Sequence, residues 1–365
     1  MQSDSSPDPT LDGPATIHVD QDYDVLGRLG FDGFVTTYRV QDAQQTRYIL
    51  REFSHERFPA GEMVEKYWKA AQKYWKQVEE EIQIPTTPDT VKLPSSAGTS
   101  NSFRLLKSIR SHDGIYYMLY TDHPHLYTLK DWYENLINIR QTEPKFYLSK
   151  VLLPLCQQIH AAHQRGIIHR DLAPTTIFLV YNPEPEHEIC FPFIFSWHSA
   201  IEHPIELCHQ IPPHIEELAG TMDDPIGTPG FFAPEIPMLK RSTVATDIYS
   251  LGALLNYLIT GRARVSDACQ EDFILNPKQQ LPLHTDDFAL LILKATQFEP
   301  SNRYHKISEM VQDINAVLED NPVIHASPVL LLPVGIGLII DFGEEHALYY
   351  LPLEVGRMNL DQGLS

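Results

Sequence analysis

The run Ile167-Ile168-His169-Arg170-Asp171-Leu172-Ala173-Pro174-Thr175-Thr176-Ile177 sets one carboxylate between a histidine–arginine pair and a proline-bearing turn. The apolar pair before it and Ile177-Phe178-Leu179-Val180 after it read as two short strands, so Asp171 lies in a tight loop between them. A carboxylate pinned in such a loop can accept the proton of a substrate hydroxyl, which is general-base chemistry. Four other positions carry chemical potential. Gly30 and Gly33 sit in a hairpin-like stretch at 23–40, where glycine permits tight turns. Arg51 ends the apolar run Tyr48-Ile49-Leu50 and brings a fixed charge; a surface arginine on an edge strand is the other reading. Ser196 follows a strand-like segment at 189–195 and offers a neutral hydroxyl.

Several elements must position these groups. Val64, Trp68, Ala71, Trp75, Val78 and Ile82 recur at three- and four-residue spacing, which predicts a helix over 63–82 with one apolar face. Segments 103–109 and 115–120 flank Ser111-His112-Asp113-Gly114 and read as strand, turn, strand. Thr128 is placed to cap a helix, and a second helix over 146–165 ends at Gly166 before delivering the chain to His169. Further helices are expected at 246–261, 286–297 and 307–318. Residues 85–102 are rich in Pro, Thr and Ser and read as a loop insertion.

The composition bounds the function. The chain has 365 residues, 43% of them hydrophobic, enough for a sizeable core. Its net charge of −20 argues against nucleic acid or an anionic membrane as a partner. Cys156, Cys190, Cys208 and Cys269 show no CxxC spacing, which removes the usual zinc and disulfide frameworks and fits a reduced, cytoplasmic setting. The first residues lack a basic start and apolar core, so they are not a signal peptide. The apolar run at 329–340 is too short, and too broken by Pro and Gly, to span a membrane; packed strands are expected there.

In this order the motifs resemble the protein kinase superfamily, in its serine/threonine form. His169-Arg170-Asp171-Leu172 is similar to the catalytic loop, and Gly227-Thr228-Pro229-Gly230-Phe231-Phe232-Ala233-Pro234-Glu235 to the end of the activation segment. The resemblance implies an α+β, two-lobed fold: a leader at 1–20, a β-rich N-lobe at 21–121 with one long helix, a mostly helical C-lobe at 122–320, and a tail at 321–365. It implies that Glu235 pairs with Arg303 and that Asp247 accepts backbone hydrogen bonds from the catalytic loop. It also implies ATP as cofactor, with Gly30, Gly33 and Arg51 towards its phosphates and an inward glutamate on the long helix, for which Glu65, Glu79, Glu80, Glu81 and Gln72 are the choices.

The departures are selective. Asp32 and Val35 fall on two of the three signature glycine positions, and Arg51 on that of the strand lysine. Ala173 takes the place of the loop lysine, while Thr176 and Ser196 stand where the family has its metal ligands. Hydroxyls carry no charge, so Mg²⁺ is not expected at its usual sites, and a base alone supplies only about 10²–10⁴-fold. Asp341-Phe342-Gly343 repeats the missing metal motif but lies too late in the chain and reads as a strand-ending turn. The expected function is that of a pseudokinase, a regulatory or scaffolding module that binds a protein partner. The alternative is an atypical serine/threonine kinase using displaced ligands such as Asp32, a helix glutamate or Asp341.

Overall fold

The computed structural model describes residues 16–32, 35–54, 61–79, 104–111, 115–123, 125–136, 143–182, 188–218, 227–261, 263, 286–326, 335–341 and 346–352. Gly33, Glu80, Glu81, Ile82, Phe342, Gly343, most of the expected leader and the 85–102 insertion lie outside them. The architecture is α+β and two-lobed, as the sequence implies. By packing, the chain divides into two compact units, 1–142 with 173–201, and 143–172 with 202–365.

The first unit is built on six antiparallel strands: β1 (Thr16–His18), β2 (Asp22–Phe31), β3 (Val35–Gln41), β4 (Arg47–Phe53), β5 (Leu105–Arg110) and β6 (Tyr116–Thr121). Their order is β1-β2-β3-β4-β6-β5. Tyr38, Leu50 and Leu119 are register partners across β3, β4 and β6, and they join Ile17, Tyr23, Val40 and Tyr117 in one apolar cluster. Side chains alternate along a strand, so Arg51, next after Leu50, turns to the opposite face beside Thr37 and Met118. Helix α1 (Gly61–Glu79) buries Val64, Tyr67, Ala71, Tyr74 and Trp75 at helical spacing. Trp75 meets Tyr120 and Phe195 edge-on, each with centroids 5.4 Å apart. Truncating such a tryptophan to alanine costs about 3–5 kcal/mol.

A second sheet of the same unit contains β7 (Leu126–Thr128), β9 (Ile177–Asn182) and β10 (Glu188–Ile194), in the order β10-β9-β7. After β7 comes the short α2 (Leu129–Asp131). Thr128 caps it as expected: its Oγ1 accepts the Asp131 N–H at 2.9 Å and donates to Asp131 Oδ2 at 2.7 Å.

In the second unit the helix expected over 146–165 is α3 (Pro144–Tyr147), a π-helical turn (Leu148–Leu152) and α4 (Leu153–His163). It ends at Gly166, whose φ of +78° is left-handed and where a Cβ would lie 2.2 Å from the His203 carbonyl oxygen. Strand β8 (Ile167–Ile168) follows; β11 (Ile201–Glu202) straddles the junction of the units and precedes α5 (Ile205–Cys208). Helix α6 (Val244–Thr260) is buried nearly throughout and ends on Gly261, also left-handed at φ +72°. Helix α7 (Asp286–Ala295) packs against it, and α8 (Ile307–Leu318) packs against α4 and α7. Buried Asp313 accepts backbone N–H groups of Ile324, His325 and Ala326 at 2.7–3.1 Å, which ties the chain after α8 back onto that helix. Of the expected apolar run at 329–340, residues 335–340 fall in β12 (Gly335–Asp341), which pairs antiparallel with β13 (His346–Pro352), Asp341 closing the first strand opposite His346, and residues 329–334 lie outside the described residues. Among the described residues no helix is long and apolar enough to cross a membrane.

Candidate functional site

Arg51 is fully buried on an interior strand, which overturns its reading as a surface arginine on a sheet edge. A buried guanidinium requires a counter-charge. It comes from Asp32, just past the end of β2: Arg51 Nη2 donates to Asp32 Oδ2 at 3.0 Å. Ser196 completes a triangle, accepting from Arg51 Nη2 at 2.7 Å and donating to the same Asp32 oxygen at 2.9 Å. Arg51 Nη1 reaches the Phe195 carbonyl at 3.4 Å, and the guanidinium carbon lies 4.8 Å from the Phe195 ring centroid and 5.5 Å from that of Phe53. Asp32 has a second task. Its Oδ1 accepts the Val35 N–H at 2.9 Å while its own N–H donates to the Val35 carbonyl at 3.3 Å, closing the turn between β2 and β3. His198 Nδ1 stands 3.8 Å from Asp32 Oδ2.

Ser196 is aimed by its backbone. The Thr176 carbonyl accepts the N–H groups of Phe195 and Ser196 at 3.1 and 3.2 Å. The Thr176 hydroxyl is turned into its own loop, accepting from the Ala173 N–H at 2.9 Å and donating to the Ala173 carbonyl at 3.0 Å. Gly30 lies at a register shift of the β2–β3 ladder, and a Cβ there would meet Thr128 Cγ2 at 3.1 Å. A side chain at this position would require Thr128 to give by a few tenths of an ångström.

The loop of Asp171 belongs to the second unit up to Leu172. Asp171 is buried, and its Oδ1 accepts the Thr228 backbone N–H at 2.7 Å. Arg170 holds a left-handed φ of +73°, a conformation that costs a non-glycine residue about 1–3 kcal/mol. Asp247 helps to hold it there. Its Oδ1 accepts the Arg170 N–H and its Oδ2 the His169 N–H, both at 2.8 Å, as the sequence implies. His163 Nε2, a partner the sequence reading missed, lies 2.8 Å from Oδ2; with the carboxylate ionised it is the donor. Burial alone would raise the Asp247 pKa, but the His163 hydrogen bond, the charges of His163 and His169, and the His169 backbone N–H together hold it below the ordinary carboxylate value.

The Glu235–Arg303 pair expected from the sequence is present and bidentate, at 2.8 and 2.9 Å, with both residues fully buried. Arg303 also donates to the carbonyls of Ala245, Gln297 and Phe298, at 3.0, 2.7 and 2.8 Å. Of the helix carboxylates proposed to face Arg51, Glu65 instead accepts from Tyr116 Oη and pairs with Lys69. The sequence reading placed Asp32 as a charge facing phosphate. It had no signal that residue 32 would itself be the arginine's partner, since a contact 19 residues apart across two strands leaves no local pattern.

The protein kinase domain family model matches residues 65–323. The match starts inside α1, so Asp32 and Arg51 precede it. Similar proteins include the serine/threonine-protein kinase PknD of Protochlamydia amoebophila, 26% identical over 198 residues, covering 47% of this chain and 18% of that protein. PknD of Chlamydia trachomatis serovar D is 26% identical over 219 residues, covering 53% of this chain and 22% of that protein. The serine/threonine-protein kinase Pkn1 of Myxococcus xanthus is 28% identical over 179 residues, covering 47% and 24%. The aligned part thus spans only about a fifth to a quarter of each of these relatives. With the catalytic-loop, activation-segment and central-helix motifs inside a match that runs from α1 to just past α8, the chain belongs to the protein kinase domain family.

Proposed function

We propose that this protein kinase domain is a pseudokinase, a regulatory or scaffolding module that binds a protein partner in a cytoplasmic setting. The observation that carries the reading is the Asp32–Arg51–Ser196 triangle. The family's Mg-ATP does not fit these residues. Ser196 supplies a hydroxyl that is already donating to Asp32, and Thr176 supplies one already used twice by Ala173. Neither is the anionic oxygen that a hard divalent cation requires. Phosphoryl transfer depends on positioned metal ions and on a strand cation paired with a glutamate of the long helix, and here the strand cation is paired with Asp32 instead. The activation-segment end, with Thr228 donating to Asp171, adds a second engaged group.

An atypical serine/threonine kinase is the second reading, and one observation favours it: the carboxylate of Asp171 is retained in a loop braced by Asp247. The names of the relatives point the same way. Transfer of radiolabelled γ-phosphate to a generic protein substrate, in Mg²⁺ and in Mn²⁺, decides between the two. The pseudokinase reading expects none. Transfer that Asp171→Asn abolishes would overturn it.

A further inference from the structure

Helix α1 carries a charge pattern that sets it apart from the other helices. Four of the chain's thirteen lysines, Lys66, Lys69, Lys73 and Lys76, fall within it, and all four are exposed. Helices α4, α6 and α8 hold no lysine or arginine. At about 100° per residue the four lysines occupy an arc of about 80°, on the side opposite the buried Val64, Tyr67, Ala71, Tyr74 and Trp75. They form a row about 15 Å long. Neighbours in the row are three or four residues apart, so each meets the next as a like charge, which weakens a helix. A face tuned only for stability would alternate the signs, as Glu65 and Lys69 do where they pair at 2.6 Å. Solubility gives no reason for a cationic row in a chain of net charge −20.

We infer that the outer face of α1 is a docking surface for an acidic segment of a partner protein, which lays its carboxylates along the lysine row. The inference rests on the partner-binding half of the proposed function and deepens it by naming the partner's chemistry. None of the four lysines is among the helix positions weighed for the family's inward glutamate. Charge complementarity selects the occupant, and its size follows from the field around it. A nucleic-acid duplex or an anionic bilayer extends far beyond the row and meets the chain's net charge of −20. A short segment sits within a Debye length of the lysines, about 8 Å at physiological salt, and meets them alone. An extended segment covers the row in about five residues at 3.3 Å each. The row is also held at fixed spacing. Trp68 Nε1 donates to the Tyr117 carbonyl at 3.2 Å and its ring lies 4.8 Å from that of Tyr116, which fastens α1 to the sheet. Binding therefore has to order only the lysine side chains. The exposed Glu65–Lys69 pair is no obstacle, because such pairs contribute little and exchange readily for an incoming carboxylate.

The test is binding of a rhodamine-labelled octaglutamate peptide to the full chain, read by fluorescence anisotropy at low salt, with an octaglutamine peptide as blank. Wild type should bind octaglutamate only, and added salt should weaken the binding. The variant Lys66→Gln/Lys69→Gln/Lys73→Gln/Lys76→Gln should bind at least about 10-fold more weakly. Its melting temperature should stay at or above that of wild type, because the like-charge neighbours are gone. Arg47→Gln/Arg104→Gln/Lys130→Gln/Lys306→Gln removes the same number of exposed charges elsewhere and should keep its affinity within about twofold. Lys66→Gln/Lys73→Gln leaves the Glu65–Lys69 pair in place and should fall between wild type and the fourfold variant. It is the readout if the fourfold variant does not fold. Several results would overturn the inference: no binding of octaglutamate by wild type at low salt, equal losses in the row and control variants, or a lower melting temperature in the row variant with affinity unchanged. Row-dependent binding that is tighter to a DNA duplex or to phosphatidylserine vesicles than to the peptide would overturn it too. Transfer of γ-phosphate is measured separately, so a failure of the pseudokinase reading and a failure of this one are distinguishable.

Discussion

Among the described residues, Arg51 in the first unit and Arg303 in the second are both fully buried against carboxylates, and they are served very differently. Arg303 in the second unit uses all five N–H donors: two on Glu235 and three on backbone carbonyls of Ala245, Gln297 and Phe298. Arg51 in the first unit makes one bond to Asp32, one to Ser196 and a long one to Phe195, and leaves Nε without a partner. The first pattern is that of a structural rivet, in which every desolvated proton is compensated. The second leaves one donor of a buried charge unmatched. Both pairs are buried, so burial alone does not tell how fully the fold serves an arginine.

The largest expected effect comes from breaking the rivet. Arg303→Met leaves Glu235 buried and unpaired and strips three carbonyls of their donor, so the urea midpoint should fall by the equivalent of about 3–5 kcal/mol. A compensating Glu235→Leu should recover little of it, because the carbonyls remain unserved. Arg51→Met should cost less, about 1.5–3 kcal/mol, the range for hydrogen bonds to a charged group. Here Asp32→Leu should recover more of the loss than Glu235→Leu does, since Arg51 serves one long-range carbonyl where Arg303 serves three, although the Val35 N–H and the Ser196 hydroxyl lose an acceptor. Equal recovery in both double variants would erase the distinction between the two arginines.

Acid sharpens the comparison in the second unit. Asp247 titrates lower folded than unfolded, where its value is near 3.8, so the stability it contributes is complete above the unfolded value. That contribution is lost as pH falls through the lower, folded value. Wild type should lose stability from about pH 5 downward, and Asp247→Asn, less stable at neutral pH, should show a shallower slope over that window. Identical slopes would mean that Asp247 does not report on the catalytic-loop brace.

A smaller effect is expected at Ser196. Ser196→Ala removes one bond from Arg51 and one to Asp32 and should cost about 1 kcal/mol, because Asp32 remains paired. A loss as large as that at Arg303 would place Ser196 among the rivets. The smallest signal is a labelling rate. Cys156, buried in α4 with its thiol pushed up to about 12 by desolvation, should react with a thiol reagent only when the second unit opens. Arg303→Met should speed that reaction, whereas Arg51→Met should leave it near the wild-type rate.

Much of the fold was legible from local pattern. Helix α1 starts within two residues of the expected position, α8 matches its expected bounds, and Thr128 and Gly166 act as the cap and stop they were read to be. The Glu235–Arg303 pair and the role of Asp247 were legible only through the family resemblance, since neither pair is local. The π-helical turn that interrupts the helix before Gly166 left no mark in the apolar periodicity.

The sequence by itself determined that this is a kinase-like chain with other residues at several of the family's motif positions, because residue identity at ordered motifs is enough for that. Only the tertiary structure decided what the replacements do. Asp32 is 19 residues from Arg51, and Ser196 is 145 away. Neither spacing has a period that helix or strand geometry could reveal. Their meeting is fixed by strand pairing, which turns Arg51 to the buried face, and by the Thr176 carbonyl, which orients Ser196. A desolvated guanidinium then takes the carboxylate that the fold places nearest to it, and the loop aspartate that looked like a repulsive charge becomes its partner.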